Sequence, residues 1–251
     1  MSSQKLQGKV AFITGSARNM GASFALALAN HGASVVIHHR GNSQKEAEAL
    51  AAQIQQLGGK TLIVTGELAN VQTIRDIFAK IKQSLGRLDI VINNAGEVLK
   101  KPLTDISEEE YDRLFAVNAK APFFVMQEAL KILEDNGRIV NVGTTLLAVT
   151  TGFYSAYAGS KAPLEDFTRA AAQEAGSRGI TVNVVAPGPI DTPFFHGQES
   201  KESVDFFTNA APLKRLGKVT DVVPVVEFLC LPESQWVTAQ TILINGGLIS
   251  R

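Results

Sequence analysis

The sequence holds a single cysteine, Cys230, in 251 residues. That excludes an intrachain disulfide, and with no Cys/His cluster a structural zinc site has no obvious ligands. A surplus of either charge is missing too: 24 Lys and Arg offset 24 Asp and Glu, and no block of like charge stands out. Nothing in that balance offers an electrostatic grip on nucleic acid or on a membrane surface. No apolar run approaches the roughly 20 residues of a membrane span. The opening MSSQKLQGK lacks a signal-peptide core, so the expected location is the cytosol. Internal repeats, low-complexity tracts and linkers are absent as well. What remains is an ordinary globular balance, 45% hydrophobic and 19% charged, in a chain long enough to bury a substantial core. Residues 1–251 read as a single domain.

Short apolar runs alternate with helical patterns. The run KVAFIT stops at Gly15, and a helix is expected from about 21 to 31. A strand, tight turn and helix in this order open a mononucleotide-binding unit. The turn comprises Thr14, Gly15, Ser16, Ala17, Arg18, Asn19, Met20 and Gly21. Gly15 permits the sharp exit from the strand, and Gly21 lets the helix N-terminus approach a pyrophosphate that its free N–H groups stabilise. The next strand, ASVVIHHR, ends in His38, His39 and Arg40 with no carboxylate. In such units the end of this strand lies beside the adenosine ribose, where an acid accepts from a 2′-hydroxyl and an arginine takes a 2′-phosphate. Arg40, with Arg18 approaching from the turn, therefore points to NADP(H) rather than NAD(H).

A helix is expected over 43–57, with Ser43 as N-cap, Glu46 completing a capping box and Gly58-Gly59 ending it. The strand KTLIVTGEL, a helix over about 71–85 and the strand LDIVINNAG follow. Asn94 can pin neighbouring backbone at the carboxyl end of that strand, and Ala95-Gly96 leave room for a cofactor. Helical pattern then runs from 107 to 115 and on toward 133, with Asn118 inside, expected to be at least partly buried and hydrogen-bonded. The strand GRIVNVG, a helix over about 157–177 and the strand ITVNVVAPG lead to Pro187-Gly188-Pro189-Ile190-Asp191-Thr192-Pro193, whose prolines fix its backbone. Residues 194–215 mix phenylalanines with polar residues and read as a mobile lid. A helix near 220–231 and a strand near 239–244 close the chain.

Within 144–161, Tyr157 and Lys161 are four residues apart, so a helix opening near Tyr157 stacks them on one face. A free tyrosine, with a pKa of roughly 10, is a poor proton shuttle near neutral pH; a lysine cation close by favours phenolate and is expected to pull that value down. The pairing suits general acid–base work on a carbonyl or an alcohol. Thr144 supplies a hydroxyl for a substrate oxygen if strand and helix fold back on each other.

The order and spacing of Gly15 and Gly21, Asn93-Asn94-Ala95-Gly96, Asn118, Tyr157 with Lys161, Pro187-Gly188 with Thr192, and the terminal AQTILINGG resemble a short-chain dehydrogenase/reductase over essentially the whole chain. The resemblance implies an α/β, Rossmann-type doubly wound parallel sheet of about seven strands, a nicotinamide cofactor and an Asn-Ser-Tyr-Lys tetrad that falls here on Asn118, Thr144, Tyr157 and Lys161. It also implies that Lys161 binds the nicotinamide ribose, that Asn118 supports a proton path, that Thr144 bonds the carbonyl oxygen, and that Ile190 and Thr192 fix the carboxamide. Gly15, Ala17, Arg18, Asn19, Met20, Gly21, His39, Arg40, Glu67, Leu68, Asn94, Ala95, Gly96, Pro187 and Gly188 complete the implied cofactor contacts.

Three positions depart from the family pattern. Asn19 stands for the middle glycine of the turn, and asparagine tolerates a left-handed backbone best among the other residues. Glu67 replaces an aspartate with one methylene more. Thr144 replaces serine, keeping the hydroxyl but adding a methyl that restricts its rotamer and narrows the pocket. The substrate pocket is expected from Glu97, Thr145, Leu146, Phe153, Tyr154, Gly188 and Pro189, with Phe194, Phe195, Phe206 and Phe207 on the lid. Several aromatics and few cations favour an apolar or aromatic ketone, reduced with Tyr157 as proton donor. Two other readings remain open. A 3-oxoacyl-carrier-protein reductase would use Arg178 toward its acidic partner, against which Glu134-Asp135 count. A non-catalytic NADPH sensor is the third. The resemblance further implies a homotetramer, or homodimer, through the helices that contain Asn118 and follow Tyr157, where Ala170-Ala171-Ala172 allow close packing.

Overall fold

A computed structural model describes residues 4–250. Strands β1 (Val10–Ile13), β2 (Ser34–His39), β3 (Thr61–Thr65) and β4 (Leu88–Asn93) alternate with helices α1 (Asn19–Asn30), α2 (Gln44–Gln56) and α3 (Val71–Leu85). Helices α4 (Glu108–Phe115) and α5 (Ala121–Ile132) precede β5 (Leu133–Val142). Then come α6 (Ser155–Lys161), α7 (Pro163–Ala175), β6 (Thr181–Pro187), α8 (Pro193–His196), α9 (Lys201–Ala210), α10 (Val219–Cys230) and β7 (Thr241–Ile244). No helix among the described residues is long and apolar enough to cross a membrane.

All seven strands pair in parallel in the order β3-β2-β1-β4-β5-β6-β7. Parallel strands covered on both faces read as continuous apolar runs rather than alternating ones, and Val10 to Ile13 are buried at every position. One face packs Phe24 and Leu28 of α1, Leu50 and Ile54 of α2 and Val222, Val226 and Leu229 of α10. The other packs Ile74, Ile77 and Ile81 of α3, Val125 and Ala129 of α5 and Ala171, Ala172 and Ala175 of α7. Ala171 and Ala172 are thus core residues, which removes two thirds of the small-residue face expected to serve oligomer contacts; Ala170 alone stays exposed.

The chain reverses its winding between β1 and β4, the point where such sheets open a crevice at the strands' carboxyl ends. The opposite end of that strand pair is locked by Asp89, only 3% exposed. Its carboxylate accepts from the Val10 N–H at 2.9 Å, from Lys9 at 3.0 Å and from the Arg87 fork at 2.9 and 2.7 Å. Burial pushes this carboxyl up, but the Arg87, Val10 and Lys9 donors overcome that and hold it below the usual aspartate value.

Local structure departs from the sequence pattern in three places. The capping box at α2 does not form: the Ser43 side chain caps no helical N–H and donates to Asn42 Oδ1 at 3.3 Å. The helical pattern from 107 to 133 is broken by a π-turn at Ala116–Lys120, with Pro122 restarting the helix as α5. The lid stretch is not a bare loop but carries α8 and α9, each started by a hydroxyl N-cap, Thr192 and Ser200.

Candidate active site

A cleft of about 410 Å³ runs across the carboxyl ends of the strands, from Arg40 at the tip of β2 to Tyr154 and Tyr157 and the lid. Every residue expected to contact a cofactor lines it, from Gly15, Ala17, Arg18, Asn19, Met20 and Gly21 through His39, Arg40, Glu67 and Leu68 to Asn94, Ala95, Gly96, Pro187, Gly188, Ile190 and Thr192.

The floor is built by the turn after β1. Gly15 has φ 62° and a Cβ there would lie 3.1 Å from the Ala95 Cα; at Gly21 it would lie 2.6 Å from the Gly15 carbonyl. Only glycine fits either position without displacing backbone. Asn19 takes φ 53°, so the substitution in the turn is absorbed as expected. Thr14 Oγ1 accepts from the N–H groups of Asn94 and Ala95, both at 2.9 Å, and the Asn94 amide donates to the Thr14 and Gly15 carbonyls at 3.0 and 3.2 Å. One hydroxyl and one amide thus fasten the ends of β1 and β4.

His38 belongs to this scaffold rather than to a phosphate site. Its Nδ1 accepts from the Gly15 N–H at 3.0 Å and its Nε2 lies 2.9 Å from the Gly66 carbonyl. Burial drops its pKa to about 4, so the ring is neutral. Ser16, which sequence reasoning passed over, closes the knot by donating to the Ile13 carbonyl at 2.8 Å and accepting from the His38 N–H at 3.0 Å.

Arg40 crosses the cleft. Its NH1 lies 2.6 Å from Glu97 Oε1, while Arg113 Nε lies 3.1 Å from the other Glu97 oxygen. Glu97, expected as a substrate-pocket wall, lines the cleft but commits its carboxylate to these two arginines. Its backbone is fixed by Asn118, which accepts from the Glu97 N–H at 2.9 Å and donates to the Glu97 carbonyl at 2.8 Å and to Ser160 at 3.0 Å. Asn118 is fully buried and does not line the cleft, so its side chain anchors backbone instead of meeting a ligand.

At the far end α6 presents Tyr157 and Lys161 on one face, both buried, with Thr144 on the facing segment. Lys161 Nζ donates to the Val142 carbonyl at 2.9 Å, and Ser160 donates to the Tyr157 carbonyl at 2.8 Å. Burial pushes the Tyr157 phenol up to about 12, opposed by the Thr144 hydroxyl, and drops Lys161 to about 8. The expected lowering of Tyr157 by the lysine is not found: burial disfavours phenolate and sets the direction, and the Thr144 hydroxyl is what opposes it. Lys161 has a stability consequence of its own. Below pH 8 a buried ammonium costs the fold; between pH 8 and 10.5 the unfolded chain binds more protons, so that penalty fades as pH rises. After the loss of the bond to Val142, Lys161→Met should still stabilise the protein by about 1–2 kcal/mol at pH 7. Thermal melts at pH 7 and 10.5 check this, because the gain must shrink at the higher pH; an equal gain at both would contradict it.

The substrate end differs from expectation in its details. Leu146, Tyr154, Pro189, Phe194, Phe195 and Phe207 line the cleft. Phe153 does not: with φ 67° it turns out and is 58% exposed, and Phe206 is 66% exposed. Thr145 lines the cleft but turns its hydroxyl to the Ala186 carbonyl at 2.8 Å. A residue missed in the sequence, Glu199, lies between α8 and α9 with its side chain 0% exposed. It accepts from the Tyr154 hydroxyl and from Lys100, whose ammonium also sits 5.6 Å from the Tyr154 ring centroid. Tyr154 in turn lies 6.0 Å, ring to ring, from Tyr157. No local pattern in a polar, phenylalanine-rich stretch marks one carboxylate as buried.

A parallel sheet in this order, with a glycine turn at its switch point, is a dinucleotide-binding architecture of Rossmann type. The family model for enoyl-(acyl carrier protein) reductase matches residues 15–249. A short-chain type dehydrogenase/reductase of Picea abies is 39% identical, covering 97% of this chain and 93% of its own length. The hydroxynaphthalene reductase-like protein Arp2 of Metarhizium brunneum is 36% identical over 98% of this chain and 97% of its own. The crystal structure of a Burkholderia cenocepacia protein with bound NADP superposes with a TM-score of 0.95 at 44% identity, covering 100% of this chain and 97% of that one. The chain belongs to the short-chain dehydrogenase/reductase family of oxidoreductases.

Proposed function

We propose that this chain is an NADPH-dependent reductase of ketones, preferentially aromatic ones, with Tyr157 as proton donor. The observation that carries the reading is one continuous cleft with Arg40 and no carboxylate of β2 at one end and the buried Tyr157–Lys161 pair at the other. The residues fit the cofactor: Gly15 and Gly21 let the turn close tightly against Ala95 and Asn94, which leaves the N–H groups at the start of α1 to face a pyrophosphate, and Arg40 with Arg18 supplies cations for a 2′-phosphate. Asn94, Ala95 and Gly96 would lie along its riboses, Lys161 would hold the nicotinamide ribose, and Ile190 and Thr192 the carboxamide. When bound, the reduced nicotinamide supplies a hydride to the carbonyl carbon. Tyr157 keeps its phenolic proton through the neutral range because it is buried, and releases it to the carbonyl oxygen. Thr144, beside that phenol, orients the same oxygen. Leu146, Phe194, Phe195 and Phe207 exclude water and favour an apolar ring. The bound NADP of the Burkholderia neighbour and the naming of the Metarhizium relative support the cofactor and an aromatic substrate.

The acyl-carrier reading is weaker because Arg178, its candidate docking cation, is bound to Asp135 at 2.9 Å and to the carbonyls of Leu130 and Leu133. Cytoplasmic location and a homotetramer or homodimer, its contacts drawn from α5, where Phe123 is exposed, and α7, belong to the same proposal. The test is initial rates with NADPH and NADH on aryl ketones, β-ketoesters and an acetoacetyl thioester. NADPH should be preferred, and Arg40→Ala should raise the KM for NADPH by about 10- to 100-fold with little change for NADH. Tight NADPH binding with no turnover of any carbonyl would favour the sensor instead.

A further inference from the structure

We infer that Glu97 is a cofactor-specificity residue that competes with the 2′-phosphate for Arg40, and that Arg113 decides how firmly it competes. The inference rests on the NADPH reading above. Arg40 rises from the end of β2, where the ribose of a bound dinucleotide belongs, yet its guanidinium reaches across the crevice to the segment after β4. Glu97 cannot follow Arg40 back, because Asn118 holds both its N–H and its carbonyl. A carboxylate at this spot repels a phosphate dianion and occupies one of the donors that would bind it.

Arg113 gives the carboxylate a second partner on its other oxygen, at 3.1 Å. When Arg40 turns to a phosphate, Glu97 is left paired rather than bare, so Arg113 lowers the cost of the exchange. Without Arg113 the carboxylate would rely on Arg40 alone and hold it harder. Asn118 thus serves two sites, anchoring the segment beside Lys161 and fixing the backbone of the competitor. A dinucleotide with a bare 2′-hydroxyl must open the same pair where it spans the crevice but offers Arg40 no phosphate in exchange, so it is far less sensitive to the charge on Glu97.

Isothermal titration of NADP⁺, NAD⁺ and 2′,5′-ADP to wild type, Glu97→Gln, Arg40→Ala, Arg113→Ala and the Glu97→Gln/Arg113→Ala double variant tests this without turnover. Glu97→Gln should tighten NADP⁺ and 2′,5′-ADP by about three- to tenfold, less at high salt, and leave NAD⁺ within about twofold. Arg113→Ala should weaken the two phosphate ligands, and that weakening should largely vanish in the Glu97→Gln background, because it acts through the carboxylate. Weaker NADP⁺ binding in Glu97→Gln, an equal gain for NAD⁺, or an undiminished Arg113→Ala effect in the double variant would each overturn the inference while leaving NADPH preference standing. If Arg40→Ala leaves 2′,5′-ADP affinity unchanged, the 2′-phosphate assignment itself fails, and the competition with it.

Discussion

Tyr157→Phe is expected to lower ketone reduction by about 10²–10⁴-fold, the usual worth of a positioned general acid, while changing NADPH affinity by no more than about twofold. The substitution removes one hydroxyl and keeps the ring that packs 6.0 Å from Tyr154, so the wall of the cleft survives. Burial holds the Tyr157 phenol protonated, at about 12, and the Thr144 hydroxyl is its hydrogen-bond partner, while the Tyr154 hydroxyl is turned to Glu199. An aliphatic alcohol such as Thr144 is too weak an acid to take over proton donation, and water must enter a site lined by Leu146, Phe194 and Phe195 to do so. Steady-state rates on the best ketone, with NADPH binding followed by fluorescence, measure both quantities. A variant that keeps wild-type kcat would remove Tyr157 from the chemistry.

Asp89→Ala should destabilise the protein by about 2–4 kcal/mol while leaving kcat unchanged at low temperature. Arg87 and Lys9 can turn to solvent once the carboxylate is gone, but the Val10 N–H, on a strand buried at every position, cannot. The lost donor pairing there sets the lower bound, and the tie between β1 and β4 sets the rest. Asp89→Asn keeps an acceptor for Val10 and should lose roughly half as much. Because the folded-state pKa lies below the ordinary 3.8, the carboxylate stabilises the fold fully above that value, and the benefit fades as pH falls through the lower folded value. The gap between the melting curves of wild type and Asp89→Ala should therefore be constant above about pH 5 and narrow, without closing, as acid protonates the carboxyl, which still accepts from Val10. A gap that does not narrow at all in acid, or a matching fall in kcat, would point to a different role for this carboxylate.

Much of this architecture is legible in the sequence because its signals are local. Helix α3 occupies the span its pattern marks, with Asn70 accepting from the Gln72 N–H at one end and Gly86 left-handed at the other. The seven parallel strands follow from short apolar runs between helical patterns, and the motif spacing led to the residues that line the cleft. What was not legible depends on partners far along the chain. Ser43 and Glu46 carry the letters of a capping box, yet Ser43 is drawn to Asn42. Arg40 reads as a free cation until Glu97, 57 residues away, meets it. Phe153 has the composition of a pocket wall, but a left-handed backbone turns it to solvent. The Tyr157–Lys161 spacing marks two residues that share helix α6, whereas burial moves the tyrosine up where the lysine is expected to move it down.

The trio of Lys100, Tyr154 and Glu199 bears on how the substrate end could change over generations. One carboxylate, closed off from solvent, joins the segment after β4, the approach to α6 and the link between α8 and α9. Replacing Lys100 alone would strand a buried charge at a cost of about 3–5 kcal/mol, whereas replacing all three with apolar residues of similar volume is close to neutral. Single substitutions there are steep descents, and the viable neighbours in sequence space lie two or three changes away. Lineages derived from this chain would keep the trio whole or lose it together, so shifts in what the lid covers would come as abrupt exchanges rather than gradual drift.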